Sequence, residues 1–139
     1  MAHELHVKVR ASETDGLGHV SNISYFIYLE EARIEVFRKL GTSMDMENWP
    51  FILASTSCDY VQQAYFDERL LIETTISRIG TSSFEMKHYV SSDRGLLAKG
   101  TAVIVHFNFA SQKSEPLTEE MKHDLETLIG LETAKEAKR

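Results

Sequence analysis

Cysteine is almost missing from this chain, and its single copy, Cys58, rules out an intramolecular disulfide. Neither the opening MAHELHVKVR nor any later segment holds an apolar run long enough for a secretory leader or a membrane span. These scarcities predict a protein of the reducing cytoplasm with no membrane partner. Basic charge is also short: 15 Lys and Arg stand against 21 Asp and Glu, a net charge of -6, and the cations are scattered. That balance argues against nucleic acid as a partner and leaves any anionic ligand dependent on local positive charge. No repeat, linker or low-complexity segment interrupts the chain, and no His, Cys or carboxylate spacing suits a metal ion.

What is present suits one α+β domain covering all 139 residues, with a charged end at 132–139 expected to fray. A chain of this size buries roughly two-thirds of its unfolded surface, enough for a core without staples. Apolar residues alternate over 5–11, the period of a half-buried strand. Residues 23–40 contain neither Gly nor Pro and repeat Ile23, Phe26, Ile27, Ala32, Val36 and Phe37 at helical spacing. Ser21 or Asn22 can cap this helix and Gly41 can stop it. Its first half, ISYFIYL, is apolar on nearly every side, which predicts enclosure. Four more strands are read at 52–61, 69–79, 83–91 and 97–109, the last three joined by turn residues Gly80-Thr81-Ser82 and Ser92-Asp93-Arg94-Gly95 as an antiparallel meander. Thr118 then opens a short amphipathic helix. The sum is a five-stranded antiparallel sheet wrapped on a long helix, and the apolar last strand, GTAVIVHFNF, is expected at an open edge where a second copy can pair.

Chemistry concentrates between the first strand and the helix, in Glu13-Thr14-Asp15-Gly16-Leu17-Gly18-His19-Val20-Ser21-Asn22. Two glycines let the backbone approach a ligand, and the helix start offers amides without intrahelical partners. Such amides can polarise a carbonyl while Asp15 removes a proton from water or attacks directly. The same Asp-Gly pair is also ordinary turn chemistry, so the residues alone leave both roles open. Cys58 falls in a strand pattern and reads as a small core residue, His88 and His106 as packed or surface residues rather than metal ligands, and Trp49-Pro50-Phe51 as a packing segment with an aromatic that could line an acyl pocket.

Thr-Asp-Gly-Leu-Gly-His-Val-Ser-Asn, followed by Tyr25, Tyr28 and Leu29-Glu30-Glu31-Ala32-Arg33, resembles the signature of 4-hydroxybenzoyl-CoA thioesterase-like hotdog-fold proteins. Asp59-Tyr60, Tyr65-Phe66-Asp67 and Ile79-Gly80-Thr81-Ser82-Ser83-Phe84 extend the resemblance to about residues 5–118. It implies hydrolysis of an acyl-CoA to a free acid and CoA, with CoA as part of the substrate and no other cofactor. Asp15 takes the catalytic carboxylate role, with His19 beside it, and the polarising amide falls at about Asn22. Gly18, Tyr25, Thr81, Ser82 and Ser83 are the implied substrate-binding residues, in a site between subunits of a homodimer or homotetramer. Some relatives carry His where this chain has Asn22, and the best-known member has basic residues at Gly80-Thr81-Ser82. Nucleotide phosphates therefore need other cations: Arg78, Lys99 or Lys113. Glu31 stands as a second candidate carboxylate. A hydratase or dehydratase using His19, and an acyl-CoA-binding module without turnover, are the alternative readings.

Overall fold

A computed structural model describes residues 2–130; the expected frayed tail at 132–139 lies outside the described residues. Strand β1 (His3–Lys8) leads through one 3-10 turn (Ala11–Glu13) and a loop into helix α1 (Asn22–Lys39). Strands β2 (Phe51–Tyr60), β3 (Arg69–Ile79), β4 (Ser83–Ser92) and β5 (Gly95–Asn108) follow. A two-residue strand β6 (Lys113–Ser114) and helix α2 (Glu119–Glu126) end the described part. All strand pairs are antiparallel, in the order β1-β3-β4-β5-β2, with β6 on β5. The α+β hotdog architecture read from the sequence is therefore the one observed, with a sixth short strand added.

Three details differ from the sequence reading. The first strand stops at Lys8 because Arg10 is drawn into the 3-10 turn, where the Glu13 carboxylate accepts its backbone N–H at 2.9 Å. The long apolar strand is not an edge: β5 lies between β4 and β2. An interior place removes its unpaired amides from solvent, while β2, whose middle reads Ser55-Thr56-Ser57, tolerates the wet edge. Finally, α1 is not enclosed all round. Tyr25, Tyr28, Leu29 and Ala32 are buried, but Ile23 is 73% exposed and Ile27 50%. The sheet curls over one side of the helix and leaves this stripe open beside the β2 edge.

At Gly100 the sheet comes close to the helix. A Cβ there would overlap Leu29 Cδ1 and sit 3.2 Å from the Ser57 carbonyl oxygen. The core has two parts. One joins Val9, Val20, Tyr25, Leu29, Ile72 and Leu97 near the start of α1. In the other, at its far end, Phe37 stacks on Phe51 at 4.9 Å, Phe84 meets both edge-on, and Leu125 and Leu128 of the C-terminal segment close the layer.

Candidate active site

Residues 13–21 form a closed loop, because the Ser21 amide donates to the Glu13 carbonyl at 3.0 Å and Thr14 pairs with Val20. Inside it, Asp15 Oδ1 accepts the amides of Leu17 (2.8 Å) and His19 (3.2 Å), the Asx geometry that its short side chain makes available. Gly18 sits at φ +82°, where a side chain would be strained, and its carbonyl accepts the Phe66 amide at 2.9 Å. The His19 ring packs edge-on against Tyr65 at 5.2 Å rather than against an acid. Asp15 is exposed.

The loop delivers the chain into α1. Asn22 and Ile23 are the first two helical residues, and no carbonyl of their own helix can reach their amides. Ser21 precedes them, but its hydroxyl meets Ser24 Oγ at 2.9 Å instead of capping a backbone N–H. Beside Asn22 opens a cleft of about 330 Å³ lined by Asn22, Tyr25, Tyr60, Val61, Gln62 and Gln63. Tyr25 is its floor: the ring is buried against Tyr60 at 5.0 Å, and the hydroxyl accepts the Ala64 amide at 3.2 Å. Arg94 holds the wall from behind. It binds both Glu68 carboxylate oxygens, at 2.8 and 2.9 Å, and donates to the Gln63 carbonyl at 2.7 Å.

Within one protomer, Asp15, Gly18 and His19 lie on the loop entering the helix, Asn22 and Tyr25 in the cleft. Thr81, Ser82 and Ser83 are elsewhere. They form the β3–β4 turn, at the opposite end of β3 from Arg69, and the eleven residues of that strand span roughly 30 Å. Their carbonyls already accept the amides of Leu117, His106 and Gly80 respectively. Arg78 and Lys113 belong to this far end, whereas Lys99 lies opposite Asp59 and Tyr89 nearer the cleft. Glu31 is exposed on α1.

One residue escapes the sequence reading. Glu13, only 6% exposed, accepts bonds from the Arg10 amide (2.9 Å), the Arg10 guanidinium (2.6 Å) and the Tyr28 hydroxyl (2.8 Å). Burial alone pushes its pKa up, but those donors outweigh burial and hold the carboxyl below its ordinary range. Tyr28 is pushed up, first by its own burial and then by this bond. Cys58 is half-buried and pushed up to about 11 by burial, with the Asp59 charge adding to it, so it is a poor nucleophile. Among the described residues no group of His, Cys, Asp and Glu is arranged to hold a metal ion, and no helix is long and apolar enough to cross a membrane.

Residues 9–125 match the model of the thioesterase-like superfamily, which covers the loop, α1, the cleft and the whole sheet from β2 onward. The chain belongs to the thioesterase-like superfamily. Among superfamily relatives, uncharacterized protein YsmA of Bacillus subtilis (strain 168) is 36% identical over 121 residues, 86% of this chain and 82% of that one. Acyl-CoA thioesterase YbgC of Haemophilus influenzae is 24% identical over 84% of this chain and 88% of its own. A solved structure described as a predicted thioesterase from Bacillus stearothermophilus superposes with a TM-score of 0.90 at 27% identity, covering 96% of this chain and 100% of that one.

Proposed function

We propose that this protein hydrolyses an acyl-CoA thioester to a free carboxylic acid and CoA. Thioester hydrolysis is the chemistry of its superfamily, and the acyl-CoA substrate is that of the YbgC relative. The observation that carries the reading is that the loop holding the exposed Asp15 carboxylate leads directly into the first turn of α1, whose Asn22 lines the cleft. A thioester carbonyl set against the Asn22 amide develops negative charge when attacked, and that amide stabilises it. Asp15, whose Oδ1 is fixed by two amides, presents Oδ2 to a water or to the carbonyl carbon. Gly18 keeps the loop backbone low enough for the acyl group to pass.

The site is completed by a second copy paired along β2. An antiparallel β2–β2 junction satisfies the edge amides and sets the Tyr60 end of one protomer beside the Phe51 end of its partner. Phe51 pairs with His106, and neighbouring Val105 with Ser83, so the partner's Thr81–Ser83 turn then lies about 15 Å, three strand spacings, from the cleft. That spacing gives the pantetheine arm a track and puts Arg78 and Lys113 within range of the nucleotide phosphates. The exposed Ile23 and Ile27 stripe is covered by the same pairing.

Release of free thiol from a panel of aliphatic and aromatic acyl-CoAs tests the reading. We expect turnover by the wild type and a loss of about 10²–10⁴-fold in kcat for Asp15→Asn. Equal rates would remove Asp15 from the chemistry, and tight acyl-CoA binding without turnover would make the protein a binding module.

A further inference from the structure

The Glu13 cluster is built around the loop that carries Asp15 but touches none of the atoms assigned to the reaction. Its side chain bonds Tyr28 in the second turn of α1 and Arg10 at the end of the first strand segment. Its carbonyl accepts both the Ser21 amide, at 3.0 Å, and the Ser24 hydroxyl, at 2.9 Å. One residue thus fastens both ends of the Asp15 loop and the first two turns of the helix to each other. A buried carboxylate kept charged is unfavourable unless its acceptor sites are used, and here the donors come from three directions. If the role were only to fill space, an apolar residue would do so without that cost.

We propose that Glu13 is a positioning residue: through its side-chain bonds to Tyr28 and Arg10 it holds the loop base, where its carbonyl also meets Ser21 and Ser24, and so sets the Asp15 carboxylate at a fixed distance and angle from the helix-start amides. The proposal rests on the thioesterase reading of the site. Its physical basis is that the attacking oxygen and the polarising amide belong to different segments, a loop and a helix. Their separation is fixed only as well as the joint between them, and a displacement of about 1 Å in such a pair costs on the order of 10²-fold in rate. Tyr28 is the sharper probe, since Tyr28→Phe removes one hydroxyl and keeps the buried ring.

The experiment measures kcat and KM for acyl-CoA hydrolysis in wild type, Glu13→Gln, Tyr28→Phe and the double variant, together with thermal unfolding and amide hydrogen exchange at Leu17 and His19. We expect kcat to fall about 10-fold to 10²-fold in Glu13→Gln and less in Tyr28→Phe, with KM held within about threefold. The double variant should be at least as slow as Glu13→Gln, because Glu13→Gln removes the Arg10 ion pair while its amide oxygen can still accept the Tyr28 hydroxyl that Tyr28→Phe deletes. The Leu17 and His19 amides, which Asp15 fixes, should exchange faster in every variant. A residue that merely stabilises the fold would lower the unfolding temperature and leave kcat per folded molecule unchanged, and that result overturns the proposal. Loss confined to KM, or unaltered exchange at both amides, overturns it as well. Should Glu13→Gln fail to fold, Tyr28→Phe decides by the same criteria. A wild type inactive on every acyl-CoA overturns the thioesterase reading instead, and exchange at Leu17 and His19 still decides whether Glu13 fixes the loop.

Discussion

Glu13 and Asp15 are two positions apart and have opposite surroundings. Asp15 is legible in the sequence because Asp-Gly before a helix start is a local pattern, and its hydrogen bonds to Leu17 and His19 form within one loop. Glu13 is not, because its partner Tyr28 lies fifteen residues away and becomes its neighbour only when the loop closes. Tyr25, implied as a substrate contact, forms the floor of the cleft, with its hydroxyl taken by the Ala64 amide. Gly100 is a further residue whose meaning is tertiary. Nothing in the local sequence marks it, yet a Cβ there meets Leu29 of α1 and the Ser57 carbonyl of β2. Gly100→Ala should lower stability by about 1–3 kcal/mol, since the helix must shift off the sheet. A urea unfolding midpoint equal to that of wild type would show that Leu29 can turn aside freely.

At the scale of elements, periodicity identifies the helix and the strands but not every face they cover. The ISYFIYL half of α1 reads as enclosed because nearly all its residues are apolar or aromatic, and a sheet on one side accounts for only part of that surface. Ile23 and Ile27 remain open, and Glu30 and Ile34 continue their line into a small cavity with Ile52 and Leu53 of β2. An apolar helix stripe continuous with an unpaired strand edge is the surface a two-fold partner would use. Ile27→Glu should therefore shift the protein toward monomer in sedimentation or light scattering while the monomer stays folded. It should also cut acyl-CoA hydrolysis if, as proposed, each site draws Thr81–Ser83 from the partner. An Ile27→Glu variant that remains dimeric with undiminished activity would contradict that assembly.

Over the whole molecule, buried ionisable groups set the response to acid. His88 is fully buried in β4, its Nδ1 bonded to Thr74 Oγ1 at 2.8 Å, and burial, followed by the charge of Arg33, pushes it down to about 3. The unfolded chain takes up this proton near pH 6.5 and the folded chain does not, so stability is lost as pH falls from that value toward 3. Glu13, held below its ordinary range, adds to the loss below about pH 4.5. Between about pH 6 and 4 the single His88 proton corresponds to about 1.4 kcal/mol per pH unit, and chemical unfolding of His88→Gln across that window should show a slope reduced by about that amount. An unchanged slope would mean that His88 is protonated within the fold. The amino-acid sequence by itself determined the order of elements, the α+β class and the loop that carries Asp15, because periodicity and turn chemistry act over a few residues. Only the tertiary structure decided that β2 rather than β5 is the edge, that one flank of α1 stays bare, and that Glu13 ties loop to helix. Each of these depends on which distant segments lie side by side, and strand order and burial are set by the packing of the whole sheet around one helix.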